Sequence, residues 1–102
     1  MGYYTDYTVE VENGGPFYEV LEAVKEQSGY GCWHHNQLNG VKWYEHHKDV
    51  KTVSEKFPNK LIVVTGEGEE SGDIWREYFL NGKSQHVKAK LSFEDFDKNK
   101  LK

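Results

Sequence analysis

The hydrophobic period of this chain switches from two to between three and four within its first third, and that switch restricts the fold more than any other feature. Residues 3–12 read YYTDYTVEVE, with Tyr3, Thr5, Tyr7, Val9 and Val11 on one side and Tyr4, Asp6, Thr8, Glu10 and Glu12 on the other. Strict alternation of this kind belongs to a strand with one buried face. Asn13, Gly14 and Gly15 then break the pattern, and Pro16 suits the first turn of a helix. Phe17, Val20, Leu21 and Val24 recur at helical spacing until Gly29 ends the segment. The opening unit is a strand followed by a helix.

The same signals continue downstream. Asn39-Gly40 is the dipeptide favoured in two-residue hairpin turns, where both central positions need positive φ. The expectation is a hairpin in which Leu38 faces Val41, Asn36 faces Trp43, His34 faces Glu45 and Trp33 faces His46. Val50, Val53 and Phe57 mark a second amphipathic helix over about residues 47–57, stopped by Pro58-Asn59. LIVVT at 61–65 is short, apolar and β-branched, as a central strand buried on both faces would be. DIWREYFL and KSQHVKAKL flank Asn81-Gly82, a second hairpin signal. Residues 93–102 form a charged tail that frays unless Phe93 and Phe96 anchor a short helix.

The resulting order matches an α+β domain of ferredoxin-like type: a βαββαβ antiparallel sheet with two helices on one face and an added C-terminal hairpin strand. The other face of the sheet is left to solvent or a partner. A chain of 102 residues supports a single domain over 1–102 with one core. Hydrophobic residues at 36%, charged at 29% and aromatic at 15% describe a chain that folds rather than a disordered one.

Charge narrows the choice of partner. Thirteen Lys and Arg against seventeen Asp and Glu give a net charge of −4, which opposes phosphate backbones and anionic lipid. Full protonation of the five histidines would move the formal charge to +1, so behaviour near neutrality is expected to depend on pH. The lone Cys32 cannot form an internal disulfide, and the N-terminus lacks a charged segment followed by an apolar signal core. The expectation is a cytoplasmic protein with no membrane span, since no apolar run approaches the roughly 18 residues a span needs.

Three sets of residues could carry chemistry. The loop GEGEESGD, residues 66–73, supplies Glu67, Glu69, Glu70 and Asp73 as hard oxygen donors, but the spacing fails the EF-hand template. A solvated turn between strands is the expectation, and the carboxylates are the groups that would meet a basic partner. Cys32, His34, His35, His46 and His47 are candidate metal ligands of the kind zinc takes. Adjacent histidines on a strand point to opposite faces, so the sets to consider are His35 with His46, or His34 with Glu45 and His47. Neither set fills a coordination sphere, and no cofactor is expected. Cys32 lacks an identifiable base and oxyanion donors, which weighs against catalysis. Trp33, Tyr44 and Trp75 belong to a surplus of strand aromatics that one core cannot hold, and aromatics left outside suit protein contact. Aromatics on a sheet also stack RNA bases, but the basic glycine-aromatic pattern of such sheets is missing, so nucleic acid is disfavoured.

Residues 41–83, VKWYEHHKDVKTVSEKFPNKLIVVTGEGEESGDIWREYFLNGK, combine a WY pair, S-x-x-x-P, an apolar strand, GEGEE-x-GD-x-W and YF ahead of a glycine turn. This pattern resembles small uncharacterised proteins of bacteriophages and their hosts, and is loosely similar to the ferredoxin-like domain of Api92-like phage proteins. The resemblance implies a phage or mobile-element accessory protein of ferredoxin-like fold, acting in the host cytoplasm. Proteins of that kind often bind and block a host protein, including defence systems, as anti-CRISPR inhibitors do. No catalytic residues come with it. The leading expectation is a non-enzymatic module that binds a host or phage protein through the open sheet face and the acidic loop, the final hairpin either extending the sheet or pairing in a homodimer. The alternatives are a metal- or thiol-dependent enzyme or regulator around Cys32 and the paired histidines, and a binder of a small ligand such as a nucleotide.

Overall fold

The computed structural model describes residues 3–12, 17–89 and 95–101. The alternating N-terminal run is strand β1 (Thr5–Glu12), and the helical spacing after it is α1 (Phe17–Ser28). Next come β2 (Gln37–Val41) and α2 (His46–Lys56), followed by three consecutive strands, β3 (Leu61–Gly68), β4 (Ile74–Leu80) and β5 (Lys83–Lys88). All neighbours pair antiparallel, and the sheet runs β2-β1-β3-β4-β5. The described residues form an α+β fold, a five-stranded antiparallel sheet with two α-helices. Among the described residues no helix is long and apolar enough to cross a membrane.

One expected hairpin does not form. Asn39 and Gly40 lie inside β2, where Tyr7 pairs with Leu38 and Thr5 with Val41, so both residues stand opposite Asp6 alone. This is a β-bulge, and Gly40 supplies the positive φ (64°) that such a bulge requires. Asp6 Oδ1 accepts from the Gly40 N–H at 2.6 Å and so holds the extra residue. The chain reverses earlier, at His35-Asn36, where His34 and Gln37 exchange backbone hydrogen bonds of 2.8 and 2.9 Å. His35 takes φ 54°, uncommon for a residue with a Cβ. Asn36 stabilises the reversal by donating from Nδ2 to the Val9 carbonyl while its own carbonyl accepts from Val9 N–H, both at 3.0 Å. The pairs proposed across Asn39-Gly40 are therefore absent, and the chain runs β-α-β-α-β-β-β.

The remaining elements match the spacing rules. Both helices press on one face of the sheet, where Val20, Leu21 and Val24 of α1 and Val50 and Val53 of α2 pack with Val9, Ile62, Val64 and Phe79. Ile62, Val63 and Val64 are all buried, so the LIVVT strand is covered on both faces. Asn81 and Gly82 both take positive φ in the β4–β5 hairpin turn. That turn is tied to α2 by the buried Ser54, whose hydroxyl donates to the Lys51 carbonyl and accepts from Gly82 N–H at 2.9 Å. The placement of Pro16 and of Phe93 lies outside the described residues. Phe96 is 79% exposed, and the described tail has a 3-10 turn, Lys98–Lys100.

Candidate functional site

Alternation along β4 sends Trp75, Glu77 and Phe79 toward the helices. Glu77 thus enters the buried side of the sheet between Val64 on β3 and His86 on β5, and is 4% exposed. A buried carboxylate is costly unless it is paired and hydrogen-bonded. Here Oε1 meets His46 Nε2 at 3.0 Å, Oε2 is bonded to His47 Nδ1, and His86 Nδ1 stands 4.0 Å from Oε1. His46 and His47 open the first turn of α2, where successive side chains diverge by about 100° rather than alternating, so both reach one carboxylate. The positive end of the helix dipole also favours a negative group at this position.

Two rings hold this carboxylate. His47 Nδ1 meets Oε2, and its ring is half-exposed. His46 faces a second acceptor, the Trp43 carbonyl, 3.2 Å from Nδ1.

One row nearer the start of β1, the face changes character. Tyr7, Gly66, Trp75 and Lys88 stand side by side across β1, β3, β4 and β5. A Cβ on Gly66 would come within 2.1 Å of the Trp75 indole, so glycine is what lets that ring lie over the strand. Trp75 stacks on His46 at 5.0 Å and on His86 at 5.3 Å, and meets Tyr7 edge-on at 6.0 Å. Tyr7 in turn meets Trp43 edge-on at 5.3 Å and donates from its hydroxyl to the Trp43 carbonyl at 3.2 Å. Burial pushes the Tyr7 phenol above its ordinary pKa. These rings wall an open cleft of about 490 Å³ with the Glu77–histidine cluster at its base and Tyr44, Asp73 and Lys88 among its lining residues.

The acidic loop is a turn clipped to the start of the chain. The Tyr3 hydroxyl donates to Asp73 Oδ2 at 2.7 Å and accepts from Glu70 N–H at 2.9 Å, while Glu69 Oε1 accepts from Tyr4 N–H at 2.7 Å. The bond to Asp73 raises the Tyr3 pKa. Gly68 N–H donates to the Asp73 carbonyl at 2.8 Å, and Gly72 sits at φ 84°. Asp73 lines the cleft, whereas Glu67, Glu69 and Glu70 stay outside its lining and are exposed.

The residues singled out from sequence divide accordingly. Tyr44, 69% exposed, and the half-buried Trp75 reach the cleft with Asp73, as do His46 and His47. Trp75 points to the helix side of the sheet. Trp33 packs edge-on against Trp43 at 5.9 Å and donates to Ser28 Oγ at 3.2 Å, at the margin of the core. Cys32 is exposed, and His35 packs on Phe17 and Tyr18, so neither joins His46 and His47. Neither expected ligand set, His35 with His46 or His34 with Glu45 and His47, is brought together. Although three imidazoles surround Glu77, two of them are hydrogen-bonded to different oxygens and the third stands off. Among the described residues no group of three or more His, Cys, Asp or Glu is arranged to hold a metal ion. Sequence reasoning missed Glu77 and His86. The signal was the W-x-E-x-F run itself, which places a carboxylate on the apolar side of an alternating strand.

Comparison with known protein families, curated proteins and solved structures gives no match to this chain.

Proposed function

We propose that the chain is a non-enzymatic binding module whose contact surface is the aromatic cleft at the open end of its helix-covered sheet face. The observation that carries this reading is the concentration of ring surface around one concave site, with Tyr44 exposed beside it. Aromatic side chains supply much of the energy of protein contacts because they bury large rigid surfaces at small entropic cost. The polar groups of the site are engaged with one another, Glu77 with His46 and His47, and Asp73 with Tyr3, which suits holding a shape better than turning over a substrate. The resemblance of residues 41–83 to phage-associated proteins makes a host or phage protein in the host cytoplasm the partner, with inhibition of a defence system as the role. Two helices on one face of an antiparallel sheet fit the ferredoxin-like plan of that resemblance, and we read the order observed here as a variant in which the second strand is bulged and the C-terminal strands form a meander.

Capture of a partner from host lysate is expected to fail for Tyr44→Ala and to persist for Glu69→Ala, each checked for native circular dichroism. Retained capture by Tyr44→Ala would move the contact surface elsewhere. The cleft volume also lies in the range of small-molecule sites. A thermal-shift screen with nucleotides tests that second reading, and flat melting temperatures would count against it.

A further inference from the structure

We infer that the cleft accepts the guanidinium of an arginine side chain carried by a basic segment of the partner protein; this rests on the binding-module reading and names what the module would hold. Three features point to a cation on an apolar stem. First, the walls are aromatic, and the face of a Trp or Tyr ring attracts a cation through its quadrupole. Tyr7, Trp43, Tyr44 and Trp75 line the cleft, with Tyr7 and Trp43 buried behind the half-buried Trp75 and the exposed Tyr44.

Second, the fixed charges are of the matching sign. Among the described residues of the lining, Asp73 is a half-buried carboxylate at the side and Glu77 a buried one at the base, held by His46 and His47, against Lys88. The loop that contains Glu67, Glu69 and Glu70 is clipped beside Asp73, and the chain as a whole carries −4. A phosphate would meet repulsion from the same carboxylates. The surface already seats one cation of its own on a ring: Lys42 Nζ stands 4.6 Å from the centroid of Tyr4, whose backbone N–H is bonded to Glu69.

Third, the site offers acceptors fitted to N–H donors. Asp73 is a half-buried carboxylate in the cleft lining. Asp73 engages Tyr3 through Oδ2 and keeps its other oxygen. A guanidinium brings five donors in one plane and is weakly hydrated, so it can lie along a ring and still bond at its edge. An ammonium is more strongly hydrated and gains less from such a wall.

The test is a tryptophan-fluorescence titration of the full chain with a glycine-arginine peptide, its citrulline counterpart and adenosine monophosphate. Citrulline keeps the shape and removes the charge. Saturable quenching is expected with the arginine peptide and about tenfold weaker binding with citrulline, the order of a desolvated cation–π contact. Asp73→Asn should weaken the arginine peptide, and Lys88→Ala, a change at an exposed residue, should tighten it. Equal binding of arginine and citrulline, or tighter binding of the nucleotide, would overturn the inference. An arginine peptide that fails to bind, while partner capture remains sensitive to Tyr44→Ala, removes the guanidinium and keeps the binding module. Arginine-selective binding with capture indifferent to Tyr44→Ala keeps the cation site and removes the module reading.

Discussion

Along the same three strands, the helix-covered face is built in two ways. At one end Val11, Ile62 and Phe79 stand in register, and Ile62 and Phe79 are completely buried beneath the helices. Four residues back along β1 the corresponding row is Tyr7, Gly66 and Trp75, and the surface opens into a cleft. Aliphatic side chains interlock and fill space to crystal-like density. Rings are rigid plates that meet edge to face, as Tyr7 meets Trp43 and Trp75, and such packing leaves concavities where no helix covers it. Between the two rows runs Val9, Val64, Glu77 and His86, half aliphatic and half ionisable. One sheet can therefore concentrate its stability at one end and keep the other available for binding.

The sharpest way to break this contrast is to remove a ring from each end. Phe79→Ala leaves a cavity under α2 and is expected to cost about 3–5 kcal/mol in chemical denaturation. Tyr44→Ala, at an exposed ring beside the cleft, should stay within about 0.5 kcal/mol. Comparable losses at the two positions would mean that the open end is part of the core.

Next in size are two changes at the boundary. Glu77→Gln preserves volume but replaces an acceptor oxygen with a donor where two imidazoles hydrogen-bond, and is expected to cost about 1–3 kcal/mol. Gly66→Ala forces the Trp75 indole off the strand and should cost about 1–3 kcal/mol through overpacking. The two are separable by near-ultraviolet circular dichroism, because only Gly66→Ala displaces Trp75 directly. An unchanged tryptophan spectrum in Gly66→Ala would show that the indole does not need the missing Cβ.

The sealed end was legible in the sequence and the open end only partly so. Val20, Leu21 and Val24, Val50 and Val53, and the LIVVT strand all follow periods that burial imposes, and the second Asn-Gly turns as expected. The first Asn-Gly misleads because the positive φ it provides serves a bulge as well as a turn, and only the pairing of Asp6 with Gly40 decides between them. The true reversal at His35-Asn36 has no turn signature; it depends on Asn36 bonding to Val9, a residue distant in the chain. His46 and His47 were paired with the wrong elements because a strand was extended where a helix begins. In a helical turn both reach Glu77, about thirty residues away and invisible to any local pattern.

The smallest expected effect tests how dry the aromatic wall is. Tyr7→Phe removes a hydroxyl from a buried contact with the Trp43 carbonyl, but His46 N–H also points to that carbonyl at 3.3 Å, so the acceptor is not orphaned. The loss should fall near the lower end of the roughly 0.5–1.5 kcal/mol typical of one hydrogen bond. Its pH dependence is more informative than its size. Burial raises the folded phenol above the ordinary 10.0, so folding favours the protonated form. The associated stability is fully present below 10.0 and is lost as pH climbs through the raised folded value, because the unfolded chain releases its proton first. Tyr3 shifts in the same direction through Asp73, but it is exposed and adds little to the balance. The stability difference between the wild type and Tyr7→Phe should therefore be flat with pH up to 10.0 and then shrink. A difference that stays flat above that point would mean that water reaches the Tyr7 phenol, and that the rings of the open end wall the cleft without drying it.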